Sequence, residues 1–148
     1  MTDQSGDGRV VETMSPEETL ELGAGLASGL SGGEMIAIDG PLGSGKTVLV
    51  RGLVKGLGGD GSLVGSPTFG LAHEYPIRNS LRLVHVDCYR LSGPADLESI
   101  GWDDFAGASD AITVIEWSAR IESVLPSDRM QIAVGHTGDM SRIFEFCK

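Results

Sequence analysis

The residues best suited to chemistry form one short run, Gly40-Pro41-Leu42-Gly43-Ser44-Gly45-Lys46-Thr47, with the spacing Gly-x-x-x-x-Gly-Lys-Thr. Each residue type in this pattern has a physical reason. Glycines let successive backbone N–H groups curve inward, because no Cβ blocks close approach or left-handed dihedrals. A helix opening at the lysine adds the positive end of its dipole to that cradle. The lysine ammonium then reaches β- and γ-phosphates, and the threonine hydroxyl is a ligand for magnesium. Residues Leu42, Gly43, Ser44, Gly45, Lys46 and Thr47 are therefore expected to hold the phosphates of a bound nucleotide.

A magnesium-bound triphosphate also requires a carboxylate near the threonine, commonly at the end of a neighbouring strand. Two apolar segments end in such an acid, Leu81–Asp87 and Ala111–Glu116. In an open α/β sheet, ligands collect at the carboxyl ends of the strands, which is where Asp87 and Glu116 fall. Asp39 also ends a strand, but it lies at the entrance to the turn and reads as structural. Adenine is favoured over guanine, because no lysine opens the Asn/Thr-Lys-x-Asp element of guanine-selective proteins. His73, His85 and His136 show no zinc-like spacing. His85 precedes Asp87 by two residues and shares its strand face. Two readings stay open for it: it tunes that acid, or it packs in the layer.

These groups must be held by regular elements. Ser15-Pro16-Glu17-Glu18 is a helix start, with Ser15 as cap, Pro16 at the first helical position and Glu18 completing a capping box. The helix is expected to run to about Leu30 and stop at Gly32-Gly33. Met35–Ile38 is a continuous apolar run, as in a strand buried on both faces. Val48 to Leu57 has helical spacing. Gly52 and Gly56 each weaken that helix by about 1 kcal/mol relative to alanine, so tertiary packing must hold it. Leu81–Asp87, Ala111–Glu116 and Met130–Val134 read as further strands, and Arg142–Cys147 as an edge strand. Pro94–Phe105 reads as helical and then looped. The alternation predicts an α/β, P-loop NTPase-like three-layer fold with a central, mostly parallel sheet and an antiparallel edge. Residues 1–9 are expected to form a mobile tail, and residues 10–148 a single domain.

The composition bounds the remaining possibilities. The chain has 148 residues, 21 acidic against 11 basic, a net charge of −10, and 41% hydrophobic residues. That is a globular balance, and wholesale disorder is excluded. No apolar run approaches the ~20 residues of a membrane helix. Three lysines and scattered arginines give no surface suited to gripping a nucleic-acid backbone. Cys88 and Cys147 cannot build a disulfide framework, and a cytoplasmic location is expected.

Several segments together resemble one family. They are Ser66-Pro67-Thr68-Phe69 leading to His73-Glu74-Tyr75, then His85-Val86-Asp87-Cys88-Tyr89-Arg90-Leu91, then Ile100-Gly101-Trp102-Asp103-Asp104-Phe105, and Val114-Ile115-Glu116-Trp117. With Glu17-Glu18-Thr19 and Arg51-Gly52, the chain from about Val11 to Ile132 resembles TsaE (also called YjeE), the bacterial ATPase of tRNA threonylcarbamoyladenosine synthesis. Pro41 and Ser44 depart from the family's usual turn at positions the general pattern leaves variable. The segment after Ile132 matches poorly.

The resemblance implies an ATPase working with two proteins, TsaB and TsaD, whose machinery modifies adenosine 37 of tRNA. Hydrolysis would reset the complex between turnovers, and tRNA would be met only through the complex. It further implies that Thr47 and Glu116 ligate magnesium, that Lys46 and Asp87 serve hydrolysis, and that Thr68 lies in a nucleotide-sensing loop. The start of the first helix, Ser15–Thr19, would lie against the adenine. Trp102, Tyr75, Tyr89, Arg90 and Trp117 divide evenly between interface or catalytic roles and plain packing. A small-molecule kinase is the alternative, but a chain of this length has little room for the closing lid that water exclusion requires. A nucleotide-responsive binding module that no longer hydrolyses is the third reading.

Overall fold

The computed structural model describes residues 9–41, 45–65 and 72–147. Their elements, in chain order, are β1 (Arg9–Thr13), α1 (Pro16–Leu26), β2 (Met35–Asp39), α2 (Lys46–Gly56), β3 (Ala72–Pro76), β4 (Arg82–Asp87), α3 (Trp102–Phe105), β5 (Ala111–Glu116), β6 (Met130–His136) and β7 (Arg142–Cys147). Segments of 3-10 helix cover Ala27–Gly29, Gly61–Leu63, Arg78–Ser80, Pro94–Ile100 and Ser118–Val124, the last kinked at Ile121. The seven strands form one sheet in the order β1-β7-β6-β2-β5-β4-β3. The four central strands β6, β2, β5 and β4 run parallel, and both flanks are antiparallel. This is the mixed α/β sheet that the alternation of elements predicted.

Local chemistry sets the first helix. Ser15 is extended and its Oγ accepts from the Glu18 amide at 3.2 Å. Glu18 reaches back to the Met14 amide at 2.7 Å, so the capping box closes one residue before the cap. The helix ends at Leu26 and tightens into the turn Ala27–Gly29, slightly short of the expected Leu30. Helix α2 begins at Lys46, two residues before the apolar spacing begins. Pro94–Phe105 divides into a 3-10 segment and the short α3, separated by Gly101 in the left-handed region at φ 80°.

Two apolar layers cover the sheet. Ile36, Ile38, Leu83, Ile112, Val114, Ile132 and Phe144 pack beneath Leu49, Leu53 and Val54 of α2 and Leu57 at its C-terminal cap. On the other face Met35, Val84, Val86 and Ile115 meet Leu97, Phe105 and Ile121. The two long helices nearly touch backbone to backbone. A Cβ on Gly23 would sit 2.4 Å from the Leu49 carbonyl oxygen, and one on Gly52 2.3 Å from that of Leu20. The glycines that weaken α2 are thus the ones that let α1 close on it.

Three strand assignments differ from expectation. β7 is not an edge, because it pairs with β6 on one side and β1 on the other. Its alternation arises from a half-covered face: Phe144 and Phe146 are buried, while Glu145 and Cys147 are exposed beside Val10 and Ala133. The true edges are β1 and β3, short segments whose mixed polarity gave no continuous apolar run. β1 opens at Arg9, the last residue of the expected tail.

Candidate functional site

The parallel register brings the carboxyl ends of β4, β5 and β2 to one edge of the sheet, from which the chain turns into α2. Asp87 and Glu116 are register partners there, and Ile38, one residue before Asp39, pairs with Glu116 from the other side. Gly45 caps α2 in the left-handed region, φ 99°, against the side chain of Arg142. The first amides of α2 therefore point into the turn, as an anion cradle needs.

Lys46, Glu116 and Asp87 converge at this edge. The Lys46 ammonium is 5% exposed, donates to the Gly40 carbonyl oxygen, and lies 3.8 Å from Glu116 Oε1. It also stands 4.8 Å above the centre of the Trp117 ring. Glu116 is buried, and its Oε2 lies 2.6 Å from His85 Nε2. Asp87 Oδ1 accepts from the Tyr89 amide at 2.9 Å. Burial raises the Asp87 carboxyl above the usual carboxylate range and the Glu116 charge adds to this, against the pull of the Tyr89 amide, His85 and Lys46. An acid with a raised proton affinity beside a phosphate cradle can take a proton from water or orient it.

Asp39 acts as a strut behind these groups. Its two oxygens accept from the Ser118 amide at 2.8 Å, the Ser118 hydroxyl and Gln131 Nε2 at 2.7 Å. That anchorage fixes Trp117 in the left-handed region, φ 58°, a backbone state that costs about 1–3 kcal/mol for a non-glycine residue. Trp117 in turn meets Tyr89 with ring centres 4.9 Å apart, and the Arg120 guanidinium lies 5.9 Å over Tyr89.

The donor set suits one class of metal. A threonine hydroxyl and a carboxylate are hard oxygen ligands of the kind magnesium takes, with no thiolate or imidazole donor required. Thr47 is the second residue of α2, and the Glu116 oxygen not engaged by His85 faces Lys46. Those two side chains are the ones that could hold the ion. Leu42, Gly43, Ser44 and Thr68 lie outside the described residues. A separate cleft of about 440 Å³ between Gly29–Ile36 and Pro126–Met130 lies at the opposite end of the parallel strands, away from all of these groups.

The model of the family described as threonylcarbamoyl adenosine biosynthesis protein TsaE matches residues 13–144. The chain belongs to the TsaE family. Proteins of the same designation from Streptomyces coelicolor and Bacillus subtilis support this. The first is 43% identical over 82% of this chain and 84% of its own length, the second 34% over 90% and 82%. The crystal structure of Bacillus subtilis YdiB superimposes with a TM-score of 0.73 at 28% identity, covering 95% of this chain and 84% of that one. The TsaE match runs on to Phe144, so the segment after Ile132 belongs to the family as well.

Sequence reasoning missed three features of this TsaE-family site. His85 bonds Glu116, not the nearer Asp87, and only the β4–β5 register reveals that. Arg142, in the segment that matched poorly, packs on the turn glycine. Trp117 holds its left-handed backbone through Ser118 and Asp39, whose partners are remote in sequence.

Proposed function

We propose that this chain is the ATP-binding and ATP-hydrolysing component of tRNA N6-threonylcarbamoyladenosine formation at position 37. In this reading it works in the cytoplasm with TsaB and TsaD, and hydrolysis resets their complex between turnovers. The relatives' shared designation, tRNA threonylcarbamoyladenosine biosynthesis protein TsaE, supports the process. The observation that carries the ATPase assignment is the approach of Lys46 to Glu116, 3.8 Å, at the mouth of the glycine turn.

Each residue has a task that its surroundings fit. The turn amides and the first turn of α2 grip the phosphates, and Lys46 leaves the Gly40 carbonyl to meet the β- and γ-oxygens. Thr47 and Glu116 would hold magnesium, whose charge would offset the charge that develops on the phosphates. Asp87 orients the attacking water and receives its proton at Oδ2, since Oδ1 is held by the Tyr89 amide. Thr68, which precedes β3 in the chain and lies outside the described residues, is expected to take part as well. The net charge of −10 suits docking on protein over direct contact with tRNA.

Phosphate release by the full chain with TsaB and TsaD present tests the reading. Wild type is expected to release free phosphate in a magnesium-dependent way, and Glu116→Ala and Lys46→Ala to lose that activity while remaining folded. Transfer of the γ-phosphate to an added metabolite in place of water identifies the alternative, a kinase. Nucleotide binding with no release by wild type identifies the non-hydrolysing module.

A further inference from the structure

The assigned tasks leave one buried polar side chain of the site unused. His85 is fully buried, on the apolar sheet face it shares with Leu83, Ile112 and Val114. An imidazole in such a layer is unfavourable unless it is hydrogen-bonded, and an aliphatic residue would fill the same space without that penalty. Its register partner on β5 is Val114, two pairs behind Asp87 and Glu116 and therefore on the same face, with the ring directed along that face toward the Glu116 carboxyl.

The contact is specific to one atom on each side. His85 Nε2 lies 2.6 Å from Glu116 Oε2, while Glu116 Oε1 faces Lys46. His85 Nδ1 is buried with no hydrogen-bond partner among the described residues. If the ring proton sits on Nε2 and is donated to Glu116, the unpartnered atom is a bare lone pair. The opposite tautomer would set two acceptors against each other and bury an unmade N–H, which is the more unfavourable arrangement. The geometry therefore makes His85 Nε2 the donor to one carboxylate oxygen. The terminal torsion of a glutamate is broad, with no sharp staggered well to fix its plane. A single strong hydrogen bond to Oε2 sets that plane and turns Oε1 toward the glycine turn.

We infer that His85 is a positioning residue that aims Glu116 at the metal of the bound nucleotide. The inference rests on the reading of Glu116 as a magnesium ligand and names the group that orients it. Partners behind a metal ligand commonly change metal affinity or activity by roughly 10–100-fold.

Calorimetry on the full chain separates this role from simple core filling. Wild type, His85→Gln, His85→Asn and His85→Leu are each titrated with ADP in EDTA, and then with a non-hydrolysable ATP analogue over a range of Mg²⁺. Glutamine places an amide donor near the position of Nε2, asparagine is too short to reach, and leucine fills volume only. Affinity in EDTA is expected to be the same for all four, which also shows that each is folded. The Mg²⁺ concentration for half-maximal enhancement is expected to rise roughly 10–100-fold in the Leu and Asn variants, with Gln restoring most of the loss. If Leu destroys the fold, the Gln and Asn pair still decides the matter. Identical Mg²⁺ curves for Gln and Asn would overturn the inference, as would loss of ADP binding in EDTA by both. Failure of wild type to bind either nucleotide would instead overturn the reading of the site itself.

Discussion

Helix α2 belongs to two regions built on opposite principles. Along its middle, Gly52 and Gly56 face α1, and the two backbones approach until no side chain fits between them. At its first residue, Lys46 is driven into a buried cluster with Glu116, His85 and Trp117. The seam accepts poor helix formers so that two helices can close, and it carries no reactive group. The strand-end site gathers charge, a left-handed tryptophan and an acid with raised proton affinity, all of which oppose folding and serve chemistry. Substitutions should therefore divide cleanly, seam changes acting on stability and site changes on turnover.

The largest expected effect lies at the site. Lys46→Ala should lower phosphate release by roughly 10²–10³-fold or more, the scale of removing one preorganised group that meets developing charge. Its circular dichroism should match wild type. Retention of turnover would erase the contrast between the two regions.

Next comes the seam. Gly52→Ala gains helix propensity of about 1 kcal/mol but places a Cβ 2.3 Å from the Leu20 carbonyl oxygen. Overpacking of this kind typically costs about 1–3 kcal/mol, and contact with rigid backbone belongs at the upper end. Chemical denaturation should show a net loss of stability with turnover unchanged below the melting range. A more stable variant would mean that the seam has room to spare.

The elements show why some of this was legible and some was not. The cap at Ser15, the apolar run Met35–Ile38 and the acids closing Leu81–Asp87 and Ala111–Glu116 are local patterns, and they survive in the fold. Lys46, Asp87 and Glu116 could be brought together on paper because parallel strands put their carboxyl ends at one edge. Gly52 and Gly56 announced a weakness, yet its cause lies in Gly23 and Ala24 of another helix. The target of His85 depends on the register between β4 and β5, which no single segment encodes. β7 alternates like an edge strand because one face of that half-sheet is uncovered, so period alone cannot distinguish a bare face from a bare edge.

A smaller effect follows from Asp87. Its carboxyl is raised in the fold, so the associated stability is present below the unfolded pKa and is lost as pH rises through the folded value. Asp87→Asn removes that loss. Thermal melts in EDTA should show the variant more stable than wild type near neutral pH, with the gap closing in acid. A less stable variant at neutral pH would show that the site is not strained against folding.

The slightest perturbation is thiol labelling. Cys88, next to Asp87, is buried and pushed up to about 12, chiefly by burial, whereas Cys147 is exposed on the uncovered sheet face. Native protein at mildly alkaline pH should therefore react with an aromatic disulfide at one thiol, and Cys147→Ser at none. Because the folded Cys88 value exceeds the unfolded one, stability should decline as pH climbs from the ordinary thiol range toward 12. Rapid labelling of both thiols would show that the floor of the site opens readily.

The central claim is that the strand-end cluster around Lys46 and Glu116 is built to hold a magnesium nucleotide. Calorimetric titration of the folded chain with ATP, with Mg²⁺ and then in EDTA, tests it most directly. Saturable binding that tightens with Mg²⁺ and vanishes in Lys46→Ala is the predicted result, and a well-folded wild type that takes up no ATP under either condition would contradict it.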